Sequence, residues 1–224
     1  TSEKVAVTND SFNVEPTLIN ENANDTTKRL MQFLTDVYGK YTITGQQTSG
    51  YGKSSPEMIA IKKATGKYPA LLGFDFMDDS PSRVEHGAKS RETELAIDWW
   101  NQGGLVAFSW HWNAPSKYLK DTEEYPWHGG FSTDYTTIDL EKIMNGEDQE
   151  GYDLLVSDID AIAAKLKEMQ EAGVTVIFRP LHEASGGWFW WGASGAEPYK
   201  KLWKLLVDRM TVYHKLNNII WLWN

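Results

Sequence analysis

The sequence contains no cysteine. That excludes disulfide frameworks, thiolate zinc sites and cysteine nucleophiles. It leaves the compartment open, because a secreted protein can fold without disulfides. No run of 18 apolar residues occurs, which excludes a membrane-spanning helix. There is no basic run either. Twenty-two Lys+Arg face 31 Asp+Glu, for a formal net charge of −9 and a pI near 5.1. This balance argues against an electrostatic nucleic-acid binder. No self-similar period of 20–50 residues is visible, so solenoids and propellers are not expected. Thr1-Ser2-Glu3-Lys4 lacks an apolar segment, so a secretory leader is absent or already removed.

Aromatic residues are plentiful: 11 Trp, 10 Tyr and 8 Phe in 224 residues. With 41% hydrophobic residues, wholesale disorder is excluded. A chain of this length buries roughly 70% of its unfolded surface, enough for one domain or two small ones. Residues 1–25 are polar and interrupted by Pro16, and read as an N-terminal arm. Residues 26–224 read as one α/β unit.

Within that unit the periodicity alternates. Leu30, Phe33, Leu34, Val37 and Tyr38 have helical spacing, and Tyr41–Thr44 reads as a strand stopped by Gly45. A second apolar run spans 69–76. Residues 88–102 read as a helix ended by Gly103-Gly104, and 105–110 as a third strand. The stretch 113–151 is long, polar and aromatic, and loops of that length in a compact domain are usually functional. Leu155, Ile159, Ile162, Leu166 and Met169 mark the clearest helix, ended by Gly173. Residues 174–178 form a fourth strand. Pro198 opens a helix whose buried face is Leu202, Trp203, Leu206, Met210 and Tyr213. Residues 219–223 form a fifth strand. Continuous apolar strands between amphipathic helices predict parallel strands covered on both faces. The pattern fits a doubly wound sheet or a (β/α)8 barrel. The lack of a Gly-rich phosphate loop after the first strand weighs against a nucleotide-binding version.

Polar residues gather where the predicted strands end: Gln46 and Gln47, then Asp75, Asp78 and Asp79, then His111-Trp112-Asn113, then Arg179, His182 and Glu183. In parallel βα folds that end carries the site. Amides, carboxylates, imidazoles and indoles together describe a sugar site: rings stack on indoles, and hydroxyls pair with amides and carboxylates. Trp188, Trp190 and Trp191 follow Glu183 within eight residues, and at most one of that aromatic group, Trp190 or Phe189, is expected to pack wholly inside. Glu183 among indoles would have a raised pKa and could act as a general acid. His182 could meet a sugar hydroxyl, and Arg179 could hold a carboxylate ionised. Strict alternation would put Arg179 and Glu183 on one side unless Pro180 breaks the register. No metal or cofactor is expected. Adjacent His182-Glu183 is not a two-ligand helical spacing, and the acidic loop 139–153 lacks EF-hand spacing.

Arg179-Pro180-x-His182-Glu183, followed by Gly187-Trp188-Phe189-Trp190-Trp191-Gly192, resembles glycoside hydrolase family 26, whose main activity is endo-β-1,4-mannanase. Gly45-Gln46-Gln47 and Ser109-Trp110-His111-Trp112 support the likeness, which covers about residues 27–224. The resemblance implies an α/β fold, a (β/α)8 TIM barrel of which about the first five strands are present. It implies that Glu183 is the acid/base and that His182, His111 and Trp112 line the −1 subsite. Trp188 would be the leaving-group platform. Trp191, Arg179, Trp127 and Gln46 are further candidates for substrate contact. The family's nucleophile lies at the end of strand seven. No Glu here maps to it, so it is expected beyond residue 224. The chain would then be part of a longer protein, or be completed by a C-terminal fragment.

The substrate implied is a β-mannan polysaccharide or oligosaccharide, with extracellular action and no nucleic-acid or membrane partner. Mixed-linkage β-glucan or β-1,3-xylan would need only different loops. A non-catalytic carbohydrate-binding module is the reading of a different class, favoured by the aromatics and the missing nucleophile.

Overall fold

A computed structural model describes residues 13–48 and 50–223. Five strands form one sheet: β1 (Gly45–Gln47), β2 (Leu71–Asp75), β3 (Leu105–Trp110), β4 (Val176–Pro180) and β5 (Ile219–Trp221). All neighbours are parallel, in the order β1-β2-β3-β4-β5. A doubly wound sheet reverses its order at a switch point; this sheet never does. The chain therefore forms five successive units of a β/α barrel.

Helix α1 (Asp25–Val37) precedes the sheet. Helix α2 (Pro56–Thr65) joins β1 to β2. Helices α3 (Pro81–Glu85) and α4 (Glu92–Asn101) join β2 to β3, and α5 (Leu140–Met144) and α6 (Gln149–Glu171) join β3 to β4. Helices α7 (Trp190–Ala193) and α8 (Ala196–Asp208) join β4 to β5, and α8 continues as a π-helical turn over Arg209–Tyr213. Residues 13–24 precede α1 without regular structure. There Asn24 caps the helix by accepting from Thr27 N, and its own backbone N–H donates to Asn217 O. A buried Thr27–Thr175 hydroxyl pair at 3.0 Å pins α1 beside the start of β4.

The parallel register separates two faces. Leu72, Val106 and Val176, then Phe74, Phe108 and Phe178, lie side by side and are buried in one cluster with the apolar face of α6. The alternate row, Gln47, Gly73, Ala107 and Ile177, lines the concave face, a hollow of about 610 Å³. Burying an aromatic side chain contributes ~2–3 kcal/mol from area alone, so the Phe row is a major part of the core.

Some expectations need correction. The first strand is Gly45–Gln47, not 41–44: Thr44 O accepts from Leu71 N, and the ladder starts at Gly45. Gly45 fits because a Cβ there would stand 3.1 Å from Leu71 Cδ2. Residues 88–91 do not join α4. The long 113–151 stretch contains α5 and the start of α6. Tyr213 is exposed rather than on the buried face of the last helix, because the π turn rotates it outward under the Arg209 guanidinium, 3.6 Å from its ring centroid. Helix α2 was not expected. It buries only Met58 and so carries little periodicity, but Ser55, Pro56 and Gly66 cap both its ends.

Asp158, 3% exposed on α6, accepts a 2.7 Å hydrogen bond from Trp112 Nε1. Burial, above all, pushes its carboxyl up to about 7. The folded state therefore binds a proton that the unfolded chain has released between pH ~4 and 7. Across that window stability falls as pH rises. Asp158→Asn keeps an acceptor for Trp112 and removes the titration. Urea midpoints at pH 4.5 and pH 8 should show the variant gaining on wild type by on the order of 3 kcal/mol at the higher pH. Parallel pH profiles would show that Asp158 stays ionised.

Candidate active site

The strand ends meet on the C-terminal side of β2, β3 and β4. The register sets Asp75 beside Ser109 and Ser109 beside Arg179, all on the concave row. Asp75 is the hub. Its Oδ1 accepts from His111 N at 3.0 Å and Met77 N at 2.9 Å. Its Oδ2 accepts from Ser109 Oγ at 2.9 Å and lies 2.5 Å from His111 Nδ1. Burial opposes its charge, but the His111 and Ser109 hydrogen bonds outweigh that and hold its carboxyl below the usual range. Glu92, at the start of α4, behaves oppositely. Burial, then the charges of Asp75, Asp79 and Asp78, push it up to about 8. Near neutral pH Glu92 is the protonated neighbour and Asp75 the ionised one.

His111 Nε2 lies 3.2 Å from His182 Nε2. His182 is 1% exposed, packed among Phe189 and Trp191. Burial, then His111 and Arg179, lower its pKa to about 4, so the ring is neutral. The next residue is Glu183. Leu181 and Glu183, on either side of His182, have φ of +50° and +57°. Left-handed conformations cost non-glycine residues on the order of 1–3 kcal/mol each and persist where surroundings enforce them. Here Trp191 Nε1 donates to His182 O at 2.9 Å, and Tyr199 Oη donates to Leu181 O at 3.2 Å. The strained turn projects Glu183 into solvent, where Trp188 Nε1 donates to its Oε2 at 3.2 Å.

Each candidate residue now has a place. Glu183 and Trp188 are exposed together, and His111 keeps 31% of its side chain accessible. Arg179 lines the concave face beside Ser109. The alternation that starts at Arg179 does not carry through to Glu183. Pro180 pairs normally with Trp110, and it is left-handed Leu181 that ends the alternation. Among the described residues Arg179 makes no ion pair with a carboxylate. Trp127 is half-buried, with its ring stacked on His86 at 4.6 Å.

Four expectations change. Trp112 and Trp191 are fully buried and offer no face to a sugar. Trp112 stacks on Trp110 and Trp191 on Phe189. His182 is likewise enclosed and bonds His111 rather than facing solvent. Gln46 pairs with outward-facing Leu72, and Gln47 is the amide on the concave face. Since Phe189, Trp190 and Trp191 all turn inward, the apolar enclosure expected around Glu183 is reduced to Trp188. Asp75 was named among the polar residues at the end of the second strand but was given no role. The two-residue period of β2, which puts it on the same side as Gly73, was the available signal.

The family model described as Glycosyl hydrolase family 26 matches residues 19–224. A mannan endo-1,4-beta-mannosidase of Thermothelomyces thermophilus is 46% identical over 211 residues, 94% of this chain and 42% of that protein. The crystal structure of a Podospora anserina beta-(1,4)-mannanase superposes with a TM-score of 0.88 at 48% identity, covering 95% of this chain and 46% of that one. A beta-mannanase from a symbiotic protist of the termite Reticulitermes speratus, complexed with gluco-manno-oligosaccharide, gives a TM-score of 0.80 at 32% identity, covering 93% and 64%. The chain thus spans less than half the length of the first two.

The turn also depends on Gly192. A Cβ there would stand 2.1 Å from Ala184 O and 2.8 Å from Ala184 Cα, so the backbone of 183–186 would have to move. Gly192→Ala should destabilise by about 1–3 kcal/mol and shift the Trp188 indole N–H resonance, as its bond to Glu183 is lost. Unchanged stability and an unmoved indole signal would show that the turn does not rest on this approach.

Proposed function

The chain belongs to glycosyl hydrolase family 26, and on that premise we propose that the whole protein is a retaining, endo-acting hydrolase of β-1,4-mannosidic bonds. The observation that carries this reading is Glu183: an exposed carboxyl on a strained turn at the mouth of β4, tethered to an exposed indole. A module that only holds sugar has no need of a carboxyl fixed in such a conformation. Glu183 protonates the glycosidic oxygen as its bond to the anomeric carbon breaks, while a second carboxylate attacks that carbon. Glu183 then takes a proton from water, whose oxygen displaces the second carboxylate. Retention requires the carboxyls to stand ~5–5.5 Å apart. The second carboxylate comes from a part of the protein outside these 224 residues, as do the strands that face the concave surface. Whether those strands belong to the same polypeptide or to a separate fragment does not alter the chemistry.

The substrate class is β-mannan, glucomannan included. It is supported by the names of the relatives and by the gluco-manno-oligosaccharide bound to the termite-symbiont enzyme. Trp188, 53% exposed beside Glu183, is the stacking surface for the leaving-group sugar. A polymer substrate too large to cross a membrane supports action outside the cell, in polysaccharide degradation.

Glu183→Ala in the full-length protein should lower kcat/KM on mannopentaose by ~10²–10⁴. On a dinitrophenyl β-mannobioside, whose leaving group needs no acid, azide should take the place of the base-activated water, speed release of the glycosyl-enzyme and yield a β-mannosyl azide. Wild-type rates in the variant would remove Glu183 from the chemistry.

A further inference from the structure

We propose that Asp75 is a positioning residue for the acid/base carboxyl, acting through His111 and His182 on the turn that carries Glu183. This rests on the reading of Glu183 given above. No contact joins Asp75 to Glu183 directly. The link is an ordered run of hydrogen bonds, and its direction follows from the geometry.

A carboxylate can only accept, so the 2.5 Å approach to Asp75 Oδ2 places a proton on His111 Nδ1. In the neutral ring His111 Nε2 is then a bare lone pair. His182 Nε2, 3.2 Å away, must be the donor. That leaves the proton off His182 Nδ1, a buried atom with no partner. The opposite order, with His111 donating, would put an N–H on that same atom. An unpartnered buried donor is rarer and costlier than an unpartnered lone pair. Polarity therefore runs from His182 to His111 to Asp75. It ends on a carboxylate fixed by two backbone N–H groups and one hydroxyl.

The run ties the ends of β2, β3 and β4 together at side-chain level. Its last ring lies between two left-handed residues, one of which is Glu183. Trp191 holds the backbone carbonyl of His182, and His111 holds the ring. Asp75→Asn changes the sign of one link. With Oδ1 kept by the His111 and Met77 N–H groups, the amide Nδ2 becomes a donor facing His111 Nδ1. His111 must then carry its proton on Nε2, where it meets the Nε2–H of His182. Two donors face each other, or His182 turns its proton into the partnerless pocket. In the first case the turn loses its side-chain tether; in the second the His111–His182 bond survives with reversed direction, at the cost of a buried N–H without a partner on His182 Nδ1.

The test compares substrates that do and do not need an acid. In the full-length protein, Asp75→Asn should lower kcat/KM on mannopentaose by roughly 100-fold. On a dinitrophenyl β-mannobioside, whose leaving group departs unprotonated, the loss should be less than about 5-fold. Nitrogen-15 spectra of histidine-labelled protein should show the His111 proton on Nδ1 in wild type and on Nε2 in the variant. Equal losses on both substrates would mean a merely structural role, and no loss, or an unmoved proton, would also overturn the proposal. Should Asp75→Asn fail to fold, Ser109→Ala removes one donor from the same Oδ2. It should show the same leaving-group bias at about 3–10-fold; an unbiased effect overturns the proposal as well. Glu183→Ala is the control for the underlying reading. If it shows no such bias, the acid/base assignment falls and the role of Asp75 with it. If it is biased while Asp75→Asn is not, only the role of Asp75 falls.

Discussion

The parallel register of β2, β3 and β4 sets Asp75, Ser109 and Arg179 in one row, and the site follows from that row. One residue of slippage would send Asp75 into the helix-covered layer among Phe74 and Phe108, where a charge is not tolerated. The layer that resists slippage is aromatic: Phe76 stacks on Phe108 at 4.1 Å and meets Phe178 edge-on at 5.7 Å. The same packing that stabilises the outer face therefore fixes the row on the inner face. Chemistry on one side of the sheet is held in place by apolar burial on the other.

The abundance of tryptophan has a structural meaning beyond sugar stacking. Four buried indoles use their single N–H as a peg. Trp110 donates to Ser80 Oγ, Trp112 to Asp158, Trp190 to Trp112 O and Trp191 to His182 O. A buried indole N–H is usually partnered, and these find theirs on loops beside the site or, for Trp112, on α6. Because Trp190 holds the carbonyl of Trp112 while Trp112 holds Asp158, the loops after β3 and β4 are fastened to α6 and to each other. Loops without regular structure thereby gain definition that backbone hydrogen bonding alone would not provide. Of the indoles between Glu183 and α8, Trp188 alone keeps its ring exposed.

The strands beginning at 71, 105, 176 and 219 and helix α6 were legible because apolar residues recur there at a period that burial enforces. So was the family motif around Glu183. What could not be read was direction. Composition shows that indoles and imidazoles gather after β3 and β4, but not that Trp112 and Trp191 turn inward while Trp188 turns out. In the loop after β4 the chain direction is reset by Leu181 and Glu183 in the left-handed region, and no alternation rule foresees two such residues without glycine. Gln46 and Gln47 differ in the same way. Adjacent amides are chemically alike, and only the pairing of Gly45 with Leu71 decides which one faces inward. The role of Asp75 escaped notice because it lies in partners 34 to 36 residues away, Ser109 and His111.

Asp75, Asp78, Asp79 and Glu92 crowd one corner of the site, and their unequal treatment explains how the corner stays stable. Asp78 pairs with Arg83 at 2.8 Å, and Asp75 collects hydrogen bonds from His111 and Ser109. Asp79 is raised mainly by burial, and Glu92 is pushed to about 8. Like charges in a partly dry pocket oppose one another, so Asp75 keeps its charge through its donors while Glu92 holds a proton near neutral pH. If Glu92 were ionised, its charge would press Asp75 toward taking a proton. A protonated Asp75 could no longer accept from His111 with the same strength. The neutral state of Glu92 thus protects the acceptor at the end of the histidine pair. The orientation of Glu183 then traces back to a carboxyl on α4 that touches neither histidine. Glu183 is exposed, whereas His182 beside it is buried and the hydrogen bonds that hold His182 run back through half-buried His111 and Asp75.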